Sequence, residues 1–247
     1  MALSLERRSI NRRSRPTFAH ESALGAPVVG CSVSSDGVEP EQRHPAWGAA
    51  LALAWEAYLA GTIPVGAVVT DSDGTILARG RNRMYDVGAP TGQIYGSRVA
   101  HAEINALVQL GTDRRYLDCT LWTTLEPCAQ CVSAAWLSTI GRVRFAAPDV
   151  YAGASKLIER QIEAAESARR FPMPVEGPEA GSLALLAELL PVSYFLDTDE
   201  HRVTETYRER RPEIVKLAER LKLQKHAGAS LSEIEAIVAQ ALHRSLA

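Results

Sequence analysis

The stretch Thr124-Leu125-Glu126-Pro127-Cys128-Ala129-Gln130-Cys131, taken with His101-Ala102-Glu103 upstream of it, decides how the rest of this chain is read. One His and two Cys supply three ligands of the types zinc prefers. Three ligands leave a fourth tetrahedral position open, and that openness separates a catalytic zinc site from a closed structural one. His101, Cys128 and Cys131 are therefore the candidate metal ligands. Glu103, two residues after the ligand His, cannot join the shell without closing it and is better placed to move protons. Cys128 and Cys131 stand three apart, one helical turn, and share a face.

Working outward, both motifs fall at predicted helix starts. A loop delivers the chain to His101, and Pro127 suits the first turn of a helix over 128–138. If the two helix ends converge, their positive poles face the thiolates, an effect of up to about 2 kcal/mol each in partly buried geometry. Strands are predicted over 63–70, 75–81, 120–125 and 142–147, with a first helix over 45–60 carrying Trp47, Trp55 and Tyr58 at helical spacing. That aromatic stripe reads as core. A short helix over 101–110 stops at Gly111. The order β-β-α-β-α-β with short links argues a three-layer α/β/α domain.

Beyond Pro148 the pattern predicts a helix over 155–170, a short edge strand over 173–175, and a helix capped by Ser182 that ends before Pro191. The remainder reads as a helical carboxy-terminal extension over 191–247. Its Arg and Glu residues alternate as on solvated helices with i,i+4 pairs. Its last helix opens on a capping box, Ser230 to Glu233. Residues 1–40 show no helical or strand period and are expected to form a disordered lead-in. Arg7, Arg8, Arg12 and Arg13 suggest an export signal, and Val28-Val29-Gly30-Cys31 a lipoprotein cleavage site. His20, Glu21 and Pro27 interrupt the apolar run of about seven or more residues that either needs. The domain itself is expected to span 45–190.

The composition narrows the partners. A hydrophobic share of 46% and a charged share of 23% match a soluble globular chain. A net charge of -2 gives no global attraction to nucleic acid. No apolar run approaches a membrane span. Of the four Cys, two belong to the metal motif, which suits a reducing, cytoplasmic setting. Cys119 is read as a small buried residue rather than a fourth ligand. The remaining His residues sit without partner motifs.

The spacing H-x-E followed by P-C-x-x-C is the signature of zinc deaminases of nucleobases. With Ile63-Pro64-Val65-Gly66-Ala67-Val68-Val69, Gly80-Arg81-Asn82-Arg83 and the run from Ile140 to Asp149, the chain resembles the cytidine deaminase superfamily. It looks most like the branch holding tRNA adenosine deaminases, guanine deaminases and cytosine deaminases. The resemblance covers roughly residues 45–190. It implies a central mixed five-stranded sheet, Zn2+ between two helix starts, and a homodimer. It also implies that Asn82 hydrogen-bonds the base.

Zinc lowers the pKa of a bound water to about 7, and Glu103 would carry protons from it to the ring nitrogen and the departing amine. The expected reaction is hydrolytic deamination of a nucleobase, nucleoside or related heterocycle. Asn82, Arg98 and Ala102 are the candidate substrate-binding residues. Tyr85, Tyr95 and Asp86 in the loop 82–100 are further candidates for the pocket wall. That loop is longer than in tRNA-editing members, and Ser97-Arg98-Val99-Ala100 replaces their usual D-P-T-A. Both departures favour a specialised pocket over the one used for tRNA adenosine-to-inosine editing. A non-catalytic zinc-stabilised interaction module is the third reading, and Glu103 speaks against it.

Overall fold

A computed structural model describes residues 44–157 and 172–246, with side chains described through residue 241. The expected lead-in over 1–40 lies outside the described residues, as does nearly all of the expected helix over 155–170. The described elements run α1 (Pro45–Leu59), β1 (Gly66–Thr70), β2 (Ile76–Arg81), α2 (Ala102–Leu107), β3 (Thr120–Leu125), α3 (Ala129–Leu137), β4 (Arg142–Ala147), β5 (Val175–Glu176), α4 (Gly181–Asp197), α5 (His201–Arg210), α6 (Pro212–Leu221) and α7 (Leu231–Leu246). The five strands form one sheet in the order β2-β1-β3-β4-β5. β1 is antiparallel to both β2 and β3, while β3, β4 and β5 run parallel, so the sheet is mixed.

The alternation of side chains along β1 and β2 builds the three layers. Gly66 pairs with Arg81, and Ala67 with Gly80. A Cβ on Gly66 would stand 2.0 Å from the Ala50 carbonyl of α1, and one on Gly80 would stand 2.2 Å from the Ala102 carbonyl of α2. The two glycines face opposite sides of the sheet, and each lets a helix backbone lie against a strand. α1 and α4 pack together on one side, while α2 lies on the other with α3 beside it. β1 is buried along its whole length, as a strand covered on both faces requires.

The aromatic stripe of α1 is core. His44 caps the helix through Nδ1, which accepts from Ala46 N at 3.2 Å, and its ring stacks on Trp122 with centroids 4.3 Å apart. Trp47 meets the same Trp122 edge-on. Trp55 Nε1 donates to the Ala229 carbonyl at 3.1 Å, and Tyr58 Oη donates to Asp197 at 2.8 Å. The stripe thus ties α1 to the carboxy-terminal helices.

Three expectations are corrected here. The first concerns α4, which runs through Pro191 instead of ending before it. Pro lacks an N–H, so the Ala187 carbonyl loses its helical partner, at a cost of about 3 kcal/mol. Leu186, Leu189, Leu190 and Val192 are almost wholly buried on both sides of the proline. Each such side chain contributes about 1.5–3 kcal/mol by burial, which outweighs the break. The residue at the cap of α4 is Ala180, not Ser182, which lies within the first turn. The division expected at 190/191 consequently falls inside one helix.

The second correction is that the edge strand lies at Val175–Glu176, slightly later than expected. The third concerns the charges of the extension, whose strongest pairs run between helices rather than along them. Arg211 grips the buried Glu188 of α4 with two bonds, at 2.8 and 2.7 Å. Arg208 of α5 reaches Glu219 of α6 at 3.7 Å. The capping box of α7 does form: the Ser230 N–H donates to Glu233 Oε2 at 2.7 Å, and the Glu233 N–H to Ser230 Oγ at 3.3 Å.

Candidate metal centre

His101 and Cys128 occupy equivalent places, each the extended residue immediately before a helix, α2 and α3 respectively. An N-cap residue points its side chain past the helix end rather than along its flank. Cys131 follows in the first turn of α3. His101 Nδ1 lies 3.6 Å from Cys128 Sγ and 3.4 Å from Cys131 Sγ, and the two sulfurs are 3.7 Å apart. A tetrahedral zinc with ordinary bond lengths would space its ligands at about 3.8 Å for sulfur–sulfur and about 3.6 Å for sulfur–nitrogen. The three donors therefore already stand at three corners of a zinc tetrahedron. Among the described residues they form the single group of three or more such donors lying within 4.8 Å of one another.

The surroundings fix the donors. Hydrogen bonding to Cys128 raises the His101 pKa, against the opposing effect of burial. Hydrogen bonding from Cys131 and from the His101 ring holds the Cys128 thiol down to about 4. Cys131, buried and bonded to Cys128, is pushed well up.

Glu103 is buried beside the donors. Its Oε1 accepts from Thr123 Oγ1 at 3.0 Å and its Oε2 from the Cys131 thiol at 3.4 Å. Burial raises its pKa, against the opposing pull of His101.

The other expected site residues divide. Asn82 is buried at the end of β2, and its Oδ1 accepts from Thr62 Oγ1 and from the Met84 N–H, both at 2.9 Å. A backbone N–H can only donate, so the carboxamide's orientation is settled, with Oδ1 taken and the Nδ2 amide left to donate. Ala102 is buried at the start of α2. Arg98 is exposed. Tyr85 and Tyr95 are about half exposed.

Asp86 has a different place from the expected pocket wall. It is paired with Arg81 Nη2 at 2.7 Å and Arg83 Nη1 at 2.8 Å, all three side chains being buried. Cys119 is buried away from the donors beside Arg114, and burial pushes its thiol up to about 11.

Sequence reasoning missed Thr123, Asn105 and Gln130. Asn105 receives the Ile94 N–H at 2.8 Å and donates to the Arg81 carbonyl at 3.1 Å, pinning the loop 82–100 to β2. Gln130 reaches across to the Val99 carbonyl at 3.2 Å. Thr123 did carry a signal, since a polar residue inside a buried strand next to the metal motif needs a partner.

With this geometry in hand, the chain can be set beside known proteins. Residues 40–147 match the family described as the cytidine and deoxycytidylate deaminase zinc-binding region. The cytosine deaminase of Candida albicans is 34% identical over 117 residues, which cover 46% of this chain and 73% of that protein. The chain belongs to this deaminase family. It carries the family's zinc-binding domain, with its donor set at His101, Cys128 and Cys131.

Two further relatives are informative. A tRNA(Ile)-lysidine synthase of Deinococcus radiodurans is 42% identical over 121 residues, 48% of this chain and 19% of that protein. A tRNA-specific adenosine deaminase of Haemophilus influenzae is 41% identical over 108 residues, 42% of this chain and 58% of that protein. The chain thus spans about a fifth of the Deinococcus radiodurans protein and just over half of the Haemophilus one. No described helix is long and apolar enough to cross a membrane.

Proposed function

We propose that this chain is a zinc-dependent hydrolase that replaces the amino group of a nucleobase, nucleoside or related heterocycle with a carbonyl and releases ammonia. One observation carries the reading: a buried carboxylate, Glu103, stands against three donors already spaced for zinc. A structural knob has no use for that carboxylate.

In this reading His101, Cys128 and Cys131 hold the metal and Glu103 is the catalytic residue. When bound, zinc would supply a Lewis acid able to lower the pKa of water to about 7. Glu103 takes a proton from the attacking water at Oε2, while Thr123 holds Oε1. It delivers protons to the ring nitrogen and to the departing amine. One water is consumed and one ammonia leaves.

Asn82 orients the ring by donating to an acceptor on its edge. Ala102, Arg98 and the loop 82–100 form the wall that chooses the substrate. The catalytic unit begins at residue 45 and runs into α4, whose continuation through Pro191 carries it into the extension, with 1–40 as a lead-in. A homodimer accounts for the exposed Tyr85, Val87 and Tyr95 of the loop. The thiol ligands fit a reducing, cytoplasmic compartment.

Editing of adenosine in tRNA is the second reading, favoured by the likeness to the Haemophilus influenzae enzyme. Against it, Arg81 and Arg83 at the base of the loop are spent on Asp86, and Arg208 and Arg211 on carboxylates of the extension, which leaves Arg98 as the exposed arginine of the loop. RNA binding needs cations free to meet phosphate. The test is ammonia release by the zinc-loaded protein across free bases, nucleosides, nucleotides and triazines, with a tRNA arm. Turnover of a small heterocycle supports the first reading. Turnover confined to tRNA replaces it with the second.

A further inference from the structure

Glu126, immediately before the P-C-x-x-C stretch, has no part in the chemistry above. Its carboxylate does not touch the donors. It is caged by the loop 149–155: the Asp149 N–H donates to Oε2 at 3.3 Å, the Ser155 N–H to Oε1 at 3.1 Å, and Ser155 Oγ to Oε1 at 2.6 Å. The same loop grips the two residues that follow. The Ala154 N–H donates to the Pro127 carbonyl at 3.0 Å, and Gly153 forms a β-bridge with Cys128. A Cβ on Gly153 would stand 2.5 Å from the Glu126 carboxylate, so the loop closes as tightly as a backbone can.

The loop has its own brace. Asp149 Oδ1 accepts from the Tyr151 and Ala152 N–H groups at 2.9 and 3.0 Å, which folds the loop into a tight turn. Behind Asp149 stands the extension. Tyr207 of α5, almost wholly buried, places its Oη 3.5 Å from the same Oδ1, and Arg210 Nη1 reaches the Val150 carbonyl at 3.5 Å. A run of contacts therefore joins the extension to a metal donor.

The need for this cage follows from where Cys128 sits. It lies before α3, outside the helix, and the residue ahead of it is a proline with no N–H to offer. Little in the helix itself fixes its sulfur, whereas a donor set must be held to within about 0.5 Å to keep its geometry. We propose that Glu126 is a positioning residue for the Cys128 arm of the metal site, and that the extension serves the site by bracing, through Tyr207, the loop that cages Glu126. The proposal rests on the zinc reading of the donor set but not on which heterocycle is turned over.

The test measures zinc affinity and donor geometry directly. Full-length wild type, Glu126→Gln and Tyr207→Phe are compared by competition with a chromophoric chelator, by the thiolate-to-metal absorption of the cobalt-substituted protein, and by the Tm of the metal-free protein. Glu126→Gln keeps the size of the side chain but turns an NH2 toward at least one of the caging N–H groups. Its zinc affinity is expected to fall about 10- to 100-fold, the usual cost of losing an outer-shell partner. Its cobalt spectrum is expected to shift, with the metal-free Tm little changed. Tyr207→Phe, whose contact is long and one step further from the donor, is expected to lose affinity by a smaller factor than Glu126→Gln.

Wild-type affinity and spectrum in Glu126→Gln would overturn the proposal. So would an affinity loss matched by a collapse of the metal-free Tm with an unshifted spectrum, since that describes a general packing role. Wild-type affinity in Tyr207→Phe would remove the extension from it. A wild-type protein that binds zinc but deaminates nothing would sink the proposed activity and leave this inference standing.

Discussion

The two arms of the metal site are held by different physics. The His101 arm hangs from a long loop anchored at its base by buried charge: Arg81 and Arg83 share Asp86, and Arg81 also reaches Glu56 at 2.8 Å. The Cys128 arm rests on a short turn caged by a neighbouring loop, with donors all around a single carboxylate. The base of the first arm is fixed while its tip, with Tyr85, Val87 and Tyr95, stays exposed. The second arm has little exposed apolar surface near the donors apart from Tyr151. The difference separates two tasks. One arm can vary its tip to suit a substrate without disturbing the metal, and the other holds the metal and nothing else.

The sharpest way to break this comparison is to remove donors on either side. His101→Ala, Cys128→Ala and Cys131→Ala should each lose stoichiometric zinc, as measured by elemental analysis of the purified protein. Full retention in all three would mean that the site lies elsewhere.

Asp86→Ala comes next and probes the first arm alone. It leaves two buried arginines without their shared partner, and breaking a buried pair costs about 3 kcal/mol or more. For a domain of this size that is a fall in Tm of roughly 6–12 °C. Zinc content should hold, because the cluster touches no donor. A loss of zinc in step with Tm would show that the arms are not separable.

Smaller again, Asn82→Ala and Arg98→Ala should change the ratio of kcat/KM between substrates, with zinc unchanged. Removing the Asn82 donor should shift that ratio about 10- to 100-fold for substrates offering it an acceptor. An unchanged ranking would place the selecting wall outside the loop. The smallest effect is expected far from both arms. Ser230→Ala removes the cap of α7 and should cost about 1 kcal/mol without altering turnover or zinc.

The sequence carried most of the site because its chemistry is local. Cys128 and Cys131 are one turn apart, His101 and Glu103 straddle a helix start, and β3 and β4 were legible to the residue from their apolar patterning. What it did not carry depends on partners distant in sequence. Asp86 reads as a polar loop residue until the fold sets it between two arginines of β2 and its flank. Glu126 reads as part of a motif until residues 149–155 close over it. Pro191 is a stop signal by local rules, overruled because Leu186, Leu189 and Leu190 before it and Val192 after it are all buried in the core. The charge pattern of the extension was visible, but its pairing was not: Arg211 could not be assigned to Glu188 without α4 and α6 in contact.

The central claim is that Glu103 moves the protons of a zinc-dependent deamination. The most direct measurement is ammonia release by zinc-loaded wild type and Glu103→Ala, on the best substrate found, with zinc content determined in the same samples. Glu103→Ala should hold its zinc and fold while kcat falls about 10³- to 10⁴-fold, the upper range for a general acid/base, because one group serves several transfers. Turnover within a few-fold of wild type at equal zinc would contradict the account.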